Sequence, residues 1–280
     1  MVIKMKVGFI GFGEVASTLA SGLLKQGIEV STCTVGRSQK TEKIAKKLEL
    51  NLCQSNRKLA ESSDFLISAV TPASATKTAQ EVGEYVKGIY VDINNISPYS
   101  TKKALSSIKN GKIVDASIIG TVREGINVPI IASGPYADKF SKLNKYGMNI
   151  TVIGSDIGQA SAIKILRSAF TKGISALLFE TIYPAYIMGI DHEVLKYISQ
   201  TECEDFKNSA ISRIISGAYH AKRRYEEMNE VIDFLSEIED PKISKSIQNF
   251  YKELYDKVDE FEERPESYLE LFEQIKKAQE

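Results

Sequence analysis

The feature that most constrains this chain is Gly11-Phe12-Gly13-Glu14-Val15-Ala16, lying between the apolar run of residues 6–10 and a helical pattern over residues 14–26. A GxGxxA turn joining a strand to a helix meets three needs. The first glycine makes the tight turn, the second lets backbone approach a pyrophosphate, and a small third residue lets helix and strand pack closely. The helix adds unpaired N–H donors and a partial positive charge at its start. The expectation is a β-α-β unit that holds a dinucleotide, with Gly11, Phe12, Gly13, Glu14 and Val15 around the phosphates.

The end of the second strand selects the dinucleotide. A site for NAD places Asp or Glu there, about 20 residues on, for the ribose 2′-hydroxyl. Here the stretch reads Thr34-Val35-Gly36-Arg37-Ser38-Gln39-Lys40, with no carboxylate before Glu42. Arg37 and Ser38 offer a guanidinium fork and a hydroxyl, which suit a 2′-phosphate. The expected cofactor is therefore NADP.

The first half continues as strand–helix alternation. Strands are expected at residues 6–10, 29–35, 64–70, 89–93, 113–119, 128–132 and 149–153, and helices at 14–26, 41–50 and 99–109. Thr71-Pro72 and Ser97-Pro98 each read as a helix cap followed by proline at the first helical position. Val70 and Thr71, closing a strand, are expected beside the cofactor. This spacing implies an α/β, doubly wound, mostly parallel sheet of the Rossmann type over residues 1–154. After Gly154 the strand pattern stops. Residues 156–183 read as one long helix, apolar all round and hence buried. Two stripes follow, Ile211, Ile214, Ile215 and Ala218, then Met228, Val231, Ile232, Leu235 and Ile238. Amphipathic helices end the chain, broken at Pro265. Residues 155–280 are expected to form an all-α domain for substrate and dimerisation.

The 280 residues carry 36 Lys+Arg and 36 Asp+Glu, so charge gives no reason to expect nucleic acid or an anionic membrane as partner. Cys33, Cys53 and Cys203 form no CxxC pair, which suits a reducing, cytoplasmic setting. His192 and His220 stand alone, and no metal is expected. The apolar stretch of residues 173–190 contains Glu180 and Pro184, which argue for a buried helix over a membrane span. The apolar excess of the helix expected at residues 156–183, densest at residues 173–179, points to a twofold homodimer.

Several segments resemble the β-hydroxyacid dehydrogenase superfamily, which includes 6-phosphogluconate and 3-hydroxyisobutyrate dehydrogenases. Val7-Gly8-Phe9-Ile10-Gly11-Phe12-Gly13 is similar to its cofactor loop. Asp92-Ile93-Asn94-Asn95-Ile96-Ser97-Pro98 resembles its segment beside the nicotinamide. Asp115-Ala116-Ser117-Ile118-Ile119-Gly120-Thr121-Val122 stands where its substrate segment lies, and residues 158–168 where its catalytic segment lies. Thr171-Lys172-Gly173 and residues 220–228 resemble a smaller branch with a helical C-terminal domain of unassigned function. The chain departs from the superfamily at four places. Ile119 replaces the substrate serine, Thr121 a glycine and Ser168 an asparagine, and Asn94-Asn95 replaces Ser-Thr.

The resemblance implies Lys164 as the group that exchanges a proton with substrate oxygen while the nicotinamide exchanges the hydride. Asn94 is then expected at the cofactor, and Asn95, Ser117, Gly120, Ser168 and Lys172 at the substrate. Lys222, Arg223 and Arg224 would take an acidic ligand or form a solvated face. The implied activity is NADP(H)-dependent oxidation or reduction of a small, anionic hydroxy or oxo acid. The replaced serine and asparagine leave two alternatives: an NADP(H)-binding protein without turnover, and an imine reductase-like enzyme.

Overall fold

The computed structural model describes residues 5–202, 206–238, 240–258 and 264–279. The chain folds into two compact units, Met1–Lys164 and Ile165–Glu280. The first is built on an eight-stranded sheet: β1 (Lys6–Ile10), β2 (Glu29–Thr32), β3 (Asn51–Leu52), β4 (Phe65–Ser68), β5 (Ile89–Asp92), β6 (Ile113–Ile118), β7 (Pro129–Ser133) and β8 (Asn149–Gly154). Their order is β3-β2-β1-β4-β5-β6-β7-β8. Every neighbouring pair is parallel except β6 with β7. The order reverses between β1 and β4. In such sheets ligands bind beyond the carboxyl ends of the strands at that switch point.

Strand residues alternate between two cores. Val7, Phe9, Ile67, Val91 and Val114 belong to one, together with Ala16, Leu19, Ala20 and Leu23 of helix α1 (Glu14–Lys25). Ile10, Leu66 and Tyr90 belong to the other. That second core includes Leu59 and Ala60 of α3 (Asn56–Ser62), Ala79 and Val82 of α4 (Ala75–Val82), and Ala104 and Leu105 of α5 (Pro98–Leu105). Both faces are apolar, so near-continuous strands such as Phe-Leu-Ile are buried on two sides. Each fully buried Leu or Phe contributes about 1.5–3 kcal/mol.

The boundaries shift where local chemistry overrides hydrophobic pattern. The second strand, expected to reach residue 35, stops at Thr32. Gly36, at φ +73°, and the Arg37 N–H donating to Thr34 O (3.0 Å) close a turn that leaves Val35 exposed. Helix α2 (Gln39–Lys47) starts earlier than expected because the Ser38 side chain caps it, accepting from Thr41 N at 3.3 Å. The two-residue β3 and helix α3 were not foreseen. Ser55 caps α3, accepting from Lys58 N. Short α6 (Ala137–Phe140) was not foreseen either.

The second unit is helical. Helix α7 (Gln159–Ile187) runs into it from the first unit. It is followed by α8 (Asp191–Thr201), α9 (Phe206–Tyr219), α10 (Ala221–Ser236), α11 (Lys242–Lys257) and α12 (Tyr268–Gln279). Phe179, Tyr183, Phe250 and Phe272 form an aromatic centre with ring separations of 5.0–6.0 Å. Of the stripes read from sequence, Ile214, Ile215, Ala218, Met228 and Val231 are buried, whereas Ile238 is exposed. Among the described residues no helix is long and apolar enough to cross a membrane. Cys33 and Cys53 are free thiols, and Cys203 lies outside the described residues.

Candidate active site

The glycine turn sits at the switch point between β1 and β4. Gly11 has φ +80°, and a Cβ built there would lie 2.4 Å from Ala69 O and 2.7 Å from Val70 Cγ1. Close contact with the neighbouring strand end therefore requires glycine here. Gly13, which caps α1, is different: a Cβ would meet no atom within 4 Å among the described residues. Its lack of a side chain is not demanded by the protein's own packing and suits close approach by a ligand. Phe12 turns into the core against Phe9 and offers only backbone to the turn. Glu14 is exposed, Val15 half-buried and Ala16 buried against the sheet. Arg37 and Ser38 lie exposed on the turn after β2. Together these features fit a dinucleotide with an added phosphate.

Beside this turn, Val70 and Thr71 form the loop after β4. Val70 N donates to Asn94 Oδ1 at 2.7 Å, and Asn94 Nδ2 donates to Ser68 Oγ at 3.1 Å. Asn94 was expected to touch cofactor directly. Both ends of its buried amide bond protein, so that it ties the loop after β4 to the end of β5. Thr71 precedes the helical turn Pro72–Ser74, and its Oγ1 donates to Ser74 Oγ.

The next feature is a row of buried polar side chains. Strand register sets Ser68, Asp92, Asp115 and Ser133 side by side across β4, β5, β6 and β7. Each is at most 1 % exposed. Asp115 Oδ2 accepts from Gly158 N (3.0 Å), Ser161 N (3.1 Å), Ser161 Oγ (3.1 Å) and Ser133 Oγ (3.2 Å). Ser133 Oγ also accepts from Ala160 N. A carboxylate and a hydroxyl on the sheet thus satisfy the free donors at the start of α7, where negative charge is favourable. Burial pushes the Asp115 carboxyl above its usual range against the pull of these donors.

Lys164 lies one turn beyond Ser161 on α7, half-buried, and its charge acts on Asp92. Asp92 accepts from Asn94 N through Oδ1 (3.0 Å), while its buried Oδ2 has no hydrogen-bond partner among the described residues. Burial pushes its pKa up to about 6. Asn94 pulls it back, the Asp115 charge adds to the rise, and Lys164 opposes it. The charges of two neighbouring buried carboxylates and a lysine thus act on one another.

The expected substrate residues fall into different settings. Asn95 is half-buried after β5. Gly120 is exposed, with φ +147°. Ser117 is fully buried, and its hydroxyl has no partner among the described residues. In the helical unit, Ser168 accepts a hydrogen bond from Lys172 Nζ, and Lys172 forms a 3.1 Å ion pair with Glu227. Thr121, which stands where the superfamily has a glycine, accepts from Arg123 N and caps the turn Val122–Asn127.

Comparison with known proteins bears on this geometry. Residues 6–96 match the family described as "NADP oxidoreductase coenzyme F420-dependent", and residues 185–254 match a domain of unknown function, DUF1932. An uncharacterized 28.5 kDa protein of Methanothermus fervidus is 44% identical over 251 residues, covering 89% of this chain and 99% of its own. A solved conserved protein of unknown function, described as structurally similar to 3-hydroxyacid dehydrogenases, is 49% identical with a TM-score of 0.83. That match covers 90% of this chain and 97% of the other. The chain belongs to this 3-hydroxyacid dehydrogenase-like family. A more distant member, 2-(hydroxymethyl)glutarate dehydrogenase of Eubacterium barkeri, is 25% identical over 208 residues, 70% of this chain and 68% of that protein.

In this dehydrogenase-like chain, spacing alone does not disclose Asp92, Asp115, Ser133 and Ser161 as a unit. Asp92 and Asp115 each open a segment that resembles a superfamily motif, and that was the available signal. Their adjacency depends on strand pairing, and the clamp on α7 joins residues from β6, β7 and the helix.

Proposed function

We propose that this chain is an NADP(H)-dependent oxidoreductase that moves a hydride between nicotinamide and a small, anionic hydroxy or oxo acid. The glycine cradle carries the reading: Gly11 is required by contact with Ala69, whereas a Cβ at Gly13 would meet no atom within 4 Å among the described residues. The backbone from Gly11 to Val15 holds the pyrophosphate, Arg37 and Ser38 take the 2′-phosphate, and Val70 and Thr71 flank the cofactor. Asn94 shapes the loop that bears them. When bound, NADP(H) accepts or supplies the hydride.

The chain's own task is the proton. Lys164 donates it from its ammonium to substrate oxygen in reduction and takes it as the amine in oxidation. Asp92, once ionised, favours the ammonium and so the donor role. Asp115, Ser133 and Ser161 fix the first turn of α7 and thereby the place of Lys164. Asn95 orients substrate through its two-sided amide, and Gly120 lets substrate approach backbone. The E. barkeri relative, named for a hydroxy dicarboxylic acid, supports an acidic substrate.

NADPH oxidation against a panel of oxo acids, sugar acids and cyclic imines tests the reading, with Lys164→Ala as control. Turnover of an oxo acid should fall a hundredfold or more in the variant, on the order of lost general acid–base catalysis. Turnover confined to imines would move the chain to imine reduction. NADPH binding with no turnover on any compound would leave a binding protein, and full activity in Lys164→Ala would remove the lysine from the mechanism.

A further inference from the structure

Two cysteines meet at the outer edge of the sheet in the first unit. β3 ends the sheet and pairs with β2, Ser31 facing Asn51 and Thr32 facing Leu52. Cys33 and Cys53 are the next residues on the two segments. Cys53 N donates to Thr32 O at 2.8 Å, which holds the two segments together at that level. Parallel register therefore sets Cys33 beside Cys53. Side chains alternate faces along a strand, so paired positions share a face. Both cysteines accordingly pack into one core, with Ile10, Leu59 and Ala60.

The spacing suits a covalent bond. Neighbouring strands lie about 4.8 Å apart, and a disulfide spans Cα atoms roughly 4.4–6.8 Å apart. β3 is an edge strand two residues long, which leaves it room to adjust as the sulfurs close. The two thiols differ in access. Cys33 is 4 % exposed, whereas Cys53 is half-buried and follows the exposed Leu52. Cys53 is thus the sulfur that a small oxidant reaches, and Cys33 the one that resolves it. Both are free thiols in this structure. Burial raises the Cys53 pKa, Ser62 opposes the rise and Cys33 adds to it. A thiol held protonated reacts slowly, so the pair stays reduced until oxidant is abundant.

The pair stands at the root of a turn. One residue after Cys33, Thr34 O accepts from Arg37 N at 3.0 Å, and Gly36 takes φ +73°. Arg37 and Ser38 lie exposed on this turn. A bond from Cys33 to Cys53 would fix the residue from which the turn springs.

We propose that Cys33 and Cys53 are a redox-sensitive thiol pair, which a hydroperoxide closes to an intramolecular disulfide that stiffens the turn bearing Arg37 and Ser38. The Cys53 thiolate attacks the peroxide: an S–O bond forms, the O–O bond breaks, and the leaving oxygen takes a proton. The Cys33 sulfur then displaces the hydroxyl from Cys53 as water, and the S–S bond forms. Two thiols lose two electrons and two protons, and the hydroperoxide is reduced to water and an alcohol, or to water alone when it is hydrogen peroxide. The pair rests on strand register and does not depend on which dinucleotide binds.

The test is treatment of the folded full chain, in a Cys203→Ser background, with hydrogen peroxide, followed by alkylation, proteolysis and mass spectrometry. Both remaining thiols should disappear together, the segment with Cys33 should be joined to the segment with Cys53, and a dithiol reductant should restore both. Cys53→Ser, altered at the more accessible position, should form no bridge and keep Cys33 as a thiol. Hydrogen exchange at residues 34–38 should slow about threefold or more in the oxidised chain and recover on reduction. Oxidation of Cys53 to a sulfinic acid with no bridge, or a bridge that forms only in denaturant, would overturn the pair. Unchanged exchange at residues 34–38 in the bridged chain would overturn its action on the turn. Neither readout uses cofactor or turnover, so the dehydrogenase reading stands or falls separately.

Discussion

Adding a methyl group at Gly11 or at Gly13 separates a glycine needed by the fold from one left open for a ligand. At Gly11, alanine must adopt φ near +80°, a left-handed conformation costing about 1–2 kcal/mol. Its Cβ also lies 2.4 Å from a backbone oxygen and 2.7 Å from a methyl carbon, and relieving such overpacking costs about 1–3 kcal/mol. Gly11→Ala should therefore lose about 2–5 kcal/mol of stability, or roughly 5–20 °C in Tm for a unit of this size. At Gly13 the backbone, φ −91° and ψ −159°, accepts alanine, and its Cβ would meet nothing within 4 Å among the described residues. The poorer capping preference of alanine costs about 0.5 kcal/mol. Reduced freedom of the unfolded chain returns about 0.4–1 kcal/mol. Gly13→Ala should melt within about 2 °C of wild type, yet bind NADPH at least tenfold more weakly, a loss of about 1.4 kcal/mol. Calorimetric unfolding and fluorescence titration with NADPH measure both quantities. Wild-type NADPH affinity in Gly13→Ala would refute the cradle, and a large fall in its Tm would refute the claim of open space.

Arg37→Ala should erase most of a preference for NADPH over NADH, since a charged hydrogen bond to phosphate contributes about 1.5–3 kcal/mol; equal affinity for both cofactors in wild type would contradict the assignment. Asp92 makes stability depend on pH. Its folded pKa, about 6, lies above the ordinary 3.8, so the folded state binds more protons in between, and stability falls as pH rises through that window. The cost above pH 6 is at most about 3 kcal/mol. Asp92→Asn keeps the acceptor for Asn94 N and should raise Tm at pH 8 but not at pH 4; a lower Tm at pH 8 would reject the reasoning. Ile163, Leu166, Phe170 and Leu177 on α7 are 46–67 % exposed, and a second copy is the proposed cover. Light scattering should give about twice 31.0 kDa, and the monomer mass would reject the dimer.

The legible parts of this fold are those set by neighbours in sequence. Gly11 and Gly13 announce the turn, Ser97-Pro98 starts α5 with Ser97 accepting from Ser100 N, and strand alternation carries the sheet. What escaped has two physical sources. One is the turn after β2. Val35 has the β-branched character of a strand residue, but the left-handed Gly36 and the Ser38 cap end the strand and start α2 sooner. The other is pairing at long range. The bonds of the Asn94 amide to Val70 N and Ser68 Oγ join residues 24 and 26 positions apart, which its segment does not announce. Lys172 stands one turn beyond Ser168, and the ion pair of its buried ammonium with Glu227 from α10 is likewise not legible from spacing.

This division follows from the chemistry each half must perform. Phosphates of a dinucleotide are met by backbone N–H groups and a helix end, so recognition lies in local conformation, which glycine positions report directly. Substrate recognition depends on side chains brought together by tertiary structure, and their charges are set by burial and by each other. Lys164, the proposed proton-exchange residue, illustrates the second case. Its position on α7 is fixed by Asp115, Ser133 and Ser161, its charge is answered by Asp92, and neither relation is visible from its neighbours in sequence. The superfamily departures at Ile119, Thr121 and Ser168 all fall on that second half, where Thr121 caps a turn and Ser168 supports Lys172. A substrate unlike that of the better-known dehydrogenases would be accommodated by these changes without disturbing the cradle. For that reason the panel of oxo acids, sugar acids and cyclic imines, and not a closer reading of the glycine loop, narrows the substrate class.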